Sequence, residues 1–208
     1  MAALVISVRG IPGSGKTHIA NELRARGVRC VDTDDLVSEA YTELARRAGA
    51  APRARFTVDD VLDLAQRNLL ALCERSRRGG LLVVVGVTLR VAAPDATLFI
   101  EMSESALQAA YKRTVRREVA KYASISTRAV DEALRADRAA PYLACKLHVN
   151  AFAPTRPFEE YESVYAAALE FERSNGAIPM SPREILAYVR KCAAKTSGKR
   201  RKRRRGLD

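Results

Sequence analysis

Eight residues, GIPGSGKT from Gly10 to Thr17, fit the spacing G-x-x-x-x-G-K-[ST] at every fixed position. That spacing suits the chemistry of holding phosphates. Glycines such as Gly13 and Gly15 let backbone N–H groups come close to an anion, and the start of a following helix adds its positive end. Lys16 is then placed to reach β/γ-phosphate oxygens, and the Thr17 hydroxyl is a ligand for Mg²⁺. The candidate nucleotide-binding set is Gly10, Pro12, Gly13, Ser14, Gly15, Lys16, Thr17 and, by position, His18. His18 in an early helix turn and His148 in an apolar run are each more often packed side chains than catalysts.

The flanking segments are those that such a loop requires. Before it, AALVISVR is an apolar, β-branched run of strand length; after it, HIANELRARG has helical periodicity and stops at Gly27. A second strand over Val28 to Val31 leads into Asp32-Thr33-Asp34-Asp35 and a helix, which puts carboxylates at a strand's C-terminal edge. A small-residue loop from Gly49 to Phe56 precedes a long helix with its N-cap at Thr57, ended by Arg77 to Gly80. Leu81 to Val87 is short and continuously apolar, as buried parallel strands are, and a further strand runs through Thr97 to Ile100.

Ser103 and Glu104 open the next helix, with Lys112, Arg113, Arg116, Arg117 and Lys121 on one face; another helix from about Thr127 ends before Pro141. Lys146 to Phe152 reads as the fifth strand, and helices follow from about Pro157 to Arg173 and from near Ser181 and Pro182. Strands alternating with helices predict an α/β protein with a mostly parallel five-stranded sheet covered on both faces. Its active site is expected along the C-terminal edge of the strands.

The chain has 208 residues, enough for one substantial core, and 48% of them are hydrophobic. No apolar stretch approaches the ~20 residues that span a bilayer, and no signal-peptide layout opens the chain, so an intracellular protein with no membrane partner is expected. Cys30, Cys73, Cys145 and Cys192 are widely spaced and read as reduced thiols. The net charge of +12 is uneven: Lys195 to Asp208 hold eight basic residues and one acidic residue. Seven contiguous cations, Lys199 to Arg205, follow Thr196, Ser197 and Gly198, and residues 195–208 read as a disordered tail. Three readings of the run stay open: a nuclear address for an import receptor, a nucleic-acid contact, or a solvated tail. Without an address, the cytoplasm is the expected location.

The segment ISVRGIPGSGKTHIANELRARGVRCVDTDDL resembles the start of small P-loop kinases, above all the shikimate and gluconate kinase group and the polynucleotide 5′-kinases. The resemblance covers roughly residues 1–175. It implies a three-layer α-β-α P-loop NTPase fold that uses ATP and Mg²⁺, with a lid over about residues 103–140, a C-terminal helix over 176–194, and the tail beyond. By resemblance, Asp34 activates the acceptor hydroxyl, and Asp32 holds a water of the Mg²⁺ shell alongside Thr17. Asp35 reads as a helix-start acid only, and a capping role competes for the other two.

TLFIEMSESALQAAYKRTVRRE looks like the family's fourth strand and lid helix, so Arg113 and Arg117, at i and i+4, become candidate phosphate clamps. A solvated cationic face is the competing reading, and Arg116 is not separable from the pair. Asn150 to Thr155 would lie near the base, and Arg53, Arg55 and Phe56 near an acceptor.

Departures from the family are specific. The third core strand ends at Gly86, where other P-loop proteins place an aspartate, so Asp32 must serve the metal. Val87 and Thr88 follow instead of further glycines, and Val37 and Ser38 stand where polynucleotide kinases carry an arginine. The leading expectation is an ATP-dependent kinase acting on a small-molecule acceptor, a nucleoside or nucleotide first. A 5′-hydroxyl polynucleotide kinase and a non-catalytic nucleotide-binding regulator are the alternatives.

Overall fold

A computed structural model of the protein describes residues 4–48, 56–77, 79–123 and 158–204, with 48, 115–123, 160 and 197–204 as backbone. In chain order these form β1 (Leu4–Arg9), α1 (Lys16–Ala25), β2 (Arg29–Asp32), α2 (Thr33–Ala48), α3 (Val58–Arg77), β3 (Leu81–Val85) and β4 (Ala96–Ile100). Then come α4 (Glu104–Ala123), α5 (Phe158–Ser174), β5 (Ile178–Met180) and α6 (Pro182–Arg204). The strands make one sheet in the order β2-β3-β1-β4-β5, and every neighbouring pair is parallel.

The sheet is buried on both faces, which explains why β3 is apolar throughout and β1 departs from that only at Ser7 and its terminal Arg9, rather than alternating. On one face Val5 of β1 joins Leu82 and Val84 of β3 against α2 and α3. On the other, Ile6 and Val8 join Val83 and Val85 against Ile19 and Leu23 of α1 and Ile185 and Val189 of α6. Phe99 of β4 packs with Leu107 and Ala110 of α4 and with Tyr161 and Tyr165 of α5. From β1 the chain winds first to β2 and β3 and then to β4 and β5. The crevice of such a sheet opens at the carboxyl ends of its strands, where β1 delivers the glycine loop.

One expectation is corrected here, and another falls outside the described residues. The fifth strand of the described sheet is Ile178–Met180, set beside β4 with Leu98 opposite Ile178 and Ile100 opposite Met180. Lys146 to Phe152 lies outside the described residues, as does the helix expected from Thr127. The last helix does not stop at 194: α6 continues through Thr196, Ser197 and Gly198 to Arg204. One glycine costs a helix only about 1 kcal/mol, while Lys and Arg are good helix formers favoured near its negative C-terminal end.

The root of the glycine loop is tied down by charge. Arg9, the last residue of β1, donates through Nε to Glu172 Oε1 of α5 at 2.6 Å, with side chains only 16% and 10% exposed. Removing one partner of a buried pair strands the other charge, so Glu172→Ala is expected to cost about 3 kcal/mol in urea unfolding. The double variant Arg9→Met/Glu172→Met should recover most of that loss.

Candidate functional site

The loop between β1 and α1 takes the left-handed backbone twice, at Gly13 (φ 79) and Gly15 (φ 93). Gly15 is also the N-cap of α1, which has no side-chain cap and no acidic residue in its first turn. The starts of α2, α3, α4 and α6 are closed. Asp32 Oδ1 accepts the Asp34 N–H at α2, Thr57 and Asp60 cap α3 reciprocally, Ser103 Oγ accepts the Ala106 N–H at α4, and Ser181 and Glu184 cap α6. The positive end of α1 is therefore left to whatever sits above the loop.

The carbonyls of Gly10, Ile11, Pro12 and Gly13 are engaged by the protein. Lys16 Nζ donates to Gly10 O at 2.6 Å and Ile11 O at 2.8 Å, and the Ser14 N–H also reaches Ile11 O. The Tyr161 hydroxyl of α5 donates to Pro12 O, and Arg113 Nη2 of α4 to Gly13 O at 3.3 Å. Thr17 and His18 are exposed at the start of α1.

β2 brings the carboxylates to the same edge. Asp32 stands opposite Val85 in the sheet register and is 9% exposed. Capping α2 uses its Oδ1; Oδ2 takes no hydrogen bond among the described residues. Asp34, in the first turn of α2 and exposed, accepts from Thr88 Oγ1 at 3.3 Å. Asp35 pairs with Arg24 Nη2 of α1 at 3.2 Å.

Burial pushes the Asp32 carboxyl above the usual carboxylate range; the Asp34 N–H opposes this, the Asp34 and Asp35 charges add to it, and Lys16 opposes it last. A carboxyl whose pKa is raised by folding binds its proton more tightly in the native state. Its stabilising effect is thus present at low pH and fades as pH rises from the unfolded carboxyl pKa through the raised one. Asp32→Asn keeps a cap oxygen and removes the buried charge. The metal-free variant is expected to unfold at a higher temperature than the parent at pH 7, with the difference vanishing below the ordinary carboxyl range.

The missing aspartate at the end of β3 has a steric cause. Gly86 has φ 141, and a Cβ there would lie 1.8 Å from Oγ1, 2.8 Å from Cβ and 2.9 Å from Cγ2 of Thr33. Thr33 is fully buried, and its hydroxyl, like those of Ser14 and Thr114, has no hydrogen-bond partner among the described residues.

The structure thus brings Lys16, Thr17, Asp32, Asp34 and Arg113 together around one loop and one sheet edge. Arg117 lies on the same helix α4, with its side chain outside the description. Arg53, Arg55, His148 and Asn150 to Thr155 lie outside the described residues. The ring of Phe56 packs edge-on against Tyr41, with centroids 5.5 Å apart. Thr33, Thr88 and Tyr161 were not legible as site neighbours. Only Thr33 had a signal in the sequence, since a glycine such as Gly86 ending a buried strand signals a close approach.

The all-parallel sheet of order 2-3-1-4-5, with the GIPGSGKT loop joining its central strand to α1, is the α/β P-loop NTPase fold. No family model and no curated protein matches the sequence. Among solved structures, a shikimate kinase from Bacteroides thetaiotaomicron is 14% identical with a TM-score of 0.46, covering 91% of this chain and 97% of that one. TT1252 from Thermus thermophilus is 21% identical with a TM-score of 0.36, covering 82% and 98%.

Proposed function

We propose that the protein is an ATP- and Mg²⁺-dependent kinase that moves the γ-phosphate to a small-molecule acceptor, a nucleoside or nucleotide first. One observation carries this: α1 presents an uncapped N-terminus behind a loop with glycines at positive φ and a lysine at the first helical position. That is the donor set a polyphosphate needs. ATP would lie with its phosphates on Gly13 to Thr17, and Lys16 would exchange its two carbonyls for β/γ oxygens.

The residues present also suit Mg²⁺. Among the described residues no three Asp, Glu, Cys or His cluster into a metal cage. Mg²⁺ needs less: one or two protein oxygens, with phosphates and waters completing the octahedron. Thr17 and the spare Oδ2 of Asp32 are such oxygens. The metal would neutralise charge on the transferring group. Asp34, exposed and oriented by Thr88, would take the proton of the acceptor hydroxyl, and Arg113 would offer its guanidinium beside the loop.

Asp34→Asn tests the assignment. Turnover should fall by about a hundredfold or more, as for loss of a general base, with ATP affinity nearly unchanged. An equal loss of ATP affinity would move Asp34 into the metal shell. The second reading, a nucleotide-binding regulator without transfer, is favoured by Thr33 filling the place of a carboxylate at 86. It predicts ATP binding that Asp34→Asn leaves intact and turnover absent from both proteins.

A further inference from the structure

We propose that Tyr161 is a positioning residue that holds the phosphate loop in its anion-binding shape while Lys16 changes partners. Its consequence for affinity rests on the kinase reading; its effect on the loop does not.

In the structure Lys16 supports the carbonyls of Gly10 and Ile11. The same ammonium cannot hold both carbonyls and grip a triphosphate, so an arriving ligand removes two of the loop's outward bonds. What remains on that side is the Ser14 N–H on Ile11 O, Arg113 on Gly13 O, and Tyr161 on Pro12 O. Arg113 is an exposed side chain, long and rich in rotamers. Tyr161 is the opposite: it is 1% exposed, and its ring packs against Tyr111 with centroids 5.6 Å apart.

Its helix is pinned further along the same face. Tyr165 Oη accepts the Met102 N–H at 2.8 Å, just past β4, and Glu172 holds Arg9 at the end of β1. Positions 161, 165 and 172 thus fasten α5 to the loop, to the exit of β4 and to the root of β1. Pro12 has no N–H, so its carbonyl is the one backbone group through which the loop can be held there. The fit is close: a Cβ at Gly13 would lie 3.1 Å from Tyr161 Oη, 2.8 Å from Ala110 O and 2.4 Å from Thr114 Oγ1. The loop therefore rests on a floor made by α4 and α5, and Tyr161 is its buried bond to that floor.

The test compares full-length Tyr161→Phe with Tyr165→Phe, which loses a hydroxyl of the same helix away from the loop. Two quantities are measured: hydrogen exchange of residues 10–17 in the free protein, and calorimetric affinity for Mg·ATP and for tripolyphosphate. Tyr161→Phe should speed exchange of the loop amides and raise both dissociation constants about fivefold, the size of one net hydrogen bond. KM for ATP should rise more than kcat falls. Tyr165→Phe should lower the unfolding temperature while leaving loop exchange and both affinities at the parent values.

Unchanged loop exchange in Tyr161→Phe, or equal changes in the two variants, overturns the proposal. If the parent protein binds neither ATP nor tripolyphosphate while Tyr161→Phe still speeds loop exchange selectively, the kinase reading fails and the anchoring role stands.

Discussion

Gly86→Ala is expected to lower the midpoint of thermal unfolding by about 10 °C, although it adds a single methyl group. The added carbon meets Thr33 Oγ1 at 1.8 Å, far inside any van der Waals contact, and Thr33 is fully buried in the first turn of α2. Overpacking costs about 1–3 kcal/mol, a non-glycine residue at φ 141 a similar amount, and each kcal/mol shifts the midpoint about 2–4 °C at this chain length. Thr33→Ala removes two of the three colliding atoms. The double variant should therefore unfold at a higher temperature than Gly86→Ala alone, a coupling that independent sites would not show. A parent-like midpoint for Gly86→Ala would mean that Thr33 does not fill this place. Gly86→Asp, which would install the carboxylate of other P-loop proteins, should suffer at least as much and gain no activity.

Lys16→Ala should have the largest functional effect. The ammonium has two tasks, bracing Gly10 O and Ile11 O in the free protein and, in the proposed mechanism, meeting the β/γ-phosphates. Removing a preorganised charge from a phosphoryl-transfer site costs a factor of about 10³ in turnover, and ATP affinity should fall with it because the ground state loses the same cation. Lys16→Arg should recover little, since a planar fork cannot replace a compact ammonium between two carbonyls. Steady-state kinetics and calorimetry on the two variants decide this.

Much of this site was legible in the chain because it is local. The strand, glycine loop and helix from Leu4 to Ala25 are contiguous, and so are Asp32 and the helix it caps. The competing readings of Asp32 are resolvable only in part, since its carboxyl caps α2 with Oδ1 while Oδ2 takes no hydrogen bond among the described residues.

What escaped is set by distant partners. β5 is three residues with a proline, less strand-like than Lys146 to Phe152, and it exists because β4 offers an edge at Leu98 to Ile100. Thr33 looked like an ordinary helix-start residue until Gly86 came to lie against it. Tyr161 gave no sign of its role because its partner Pro12 lies at the other end of the chain. The course of α6 through Gly198 was misjudged for a different reason: polar composition hid a run of residues that favour helix.

The proposed function is phosphoryl transfer at this loop. Its most direct test is incubation of the protein with γ-labelled ATP and Mg²⁺ against a panel of nucleosides, nucleoside monophosphates, sugars and 5′-hydroxyl oligonucleotides. Label should move to an acceptor of the nucleoside or nucleotide class, with Lys16→Ala slowing the transfer by about a thousandfold and Asp34→Asn by about a hundredfold or more. Tight, Lys16-dependent ATP binding with no label moved to any acceptor would contradict it.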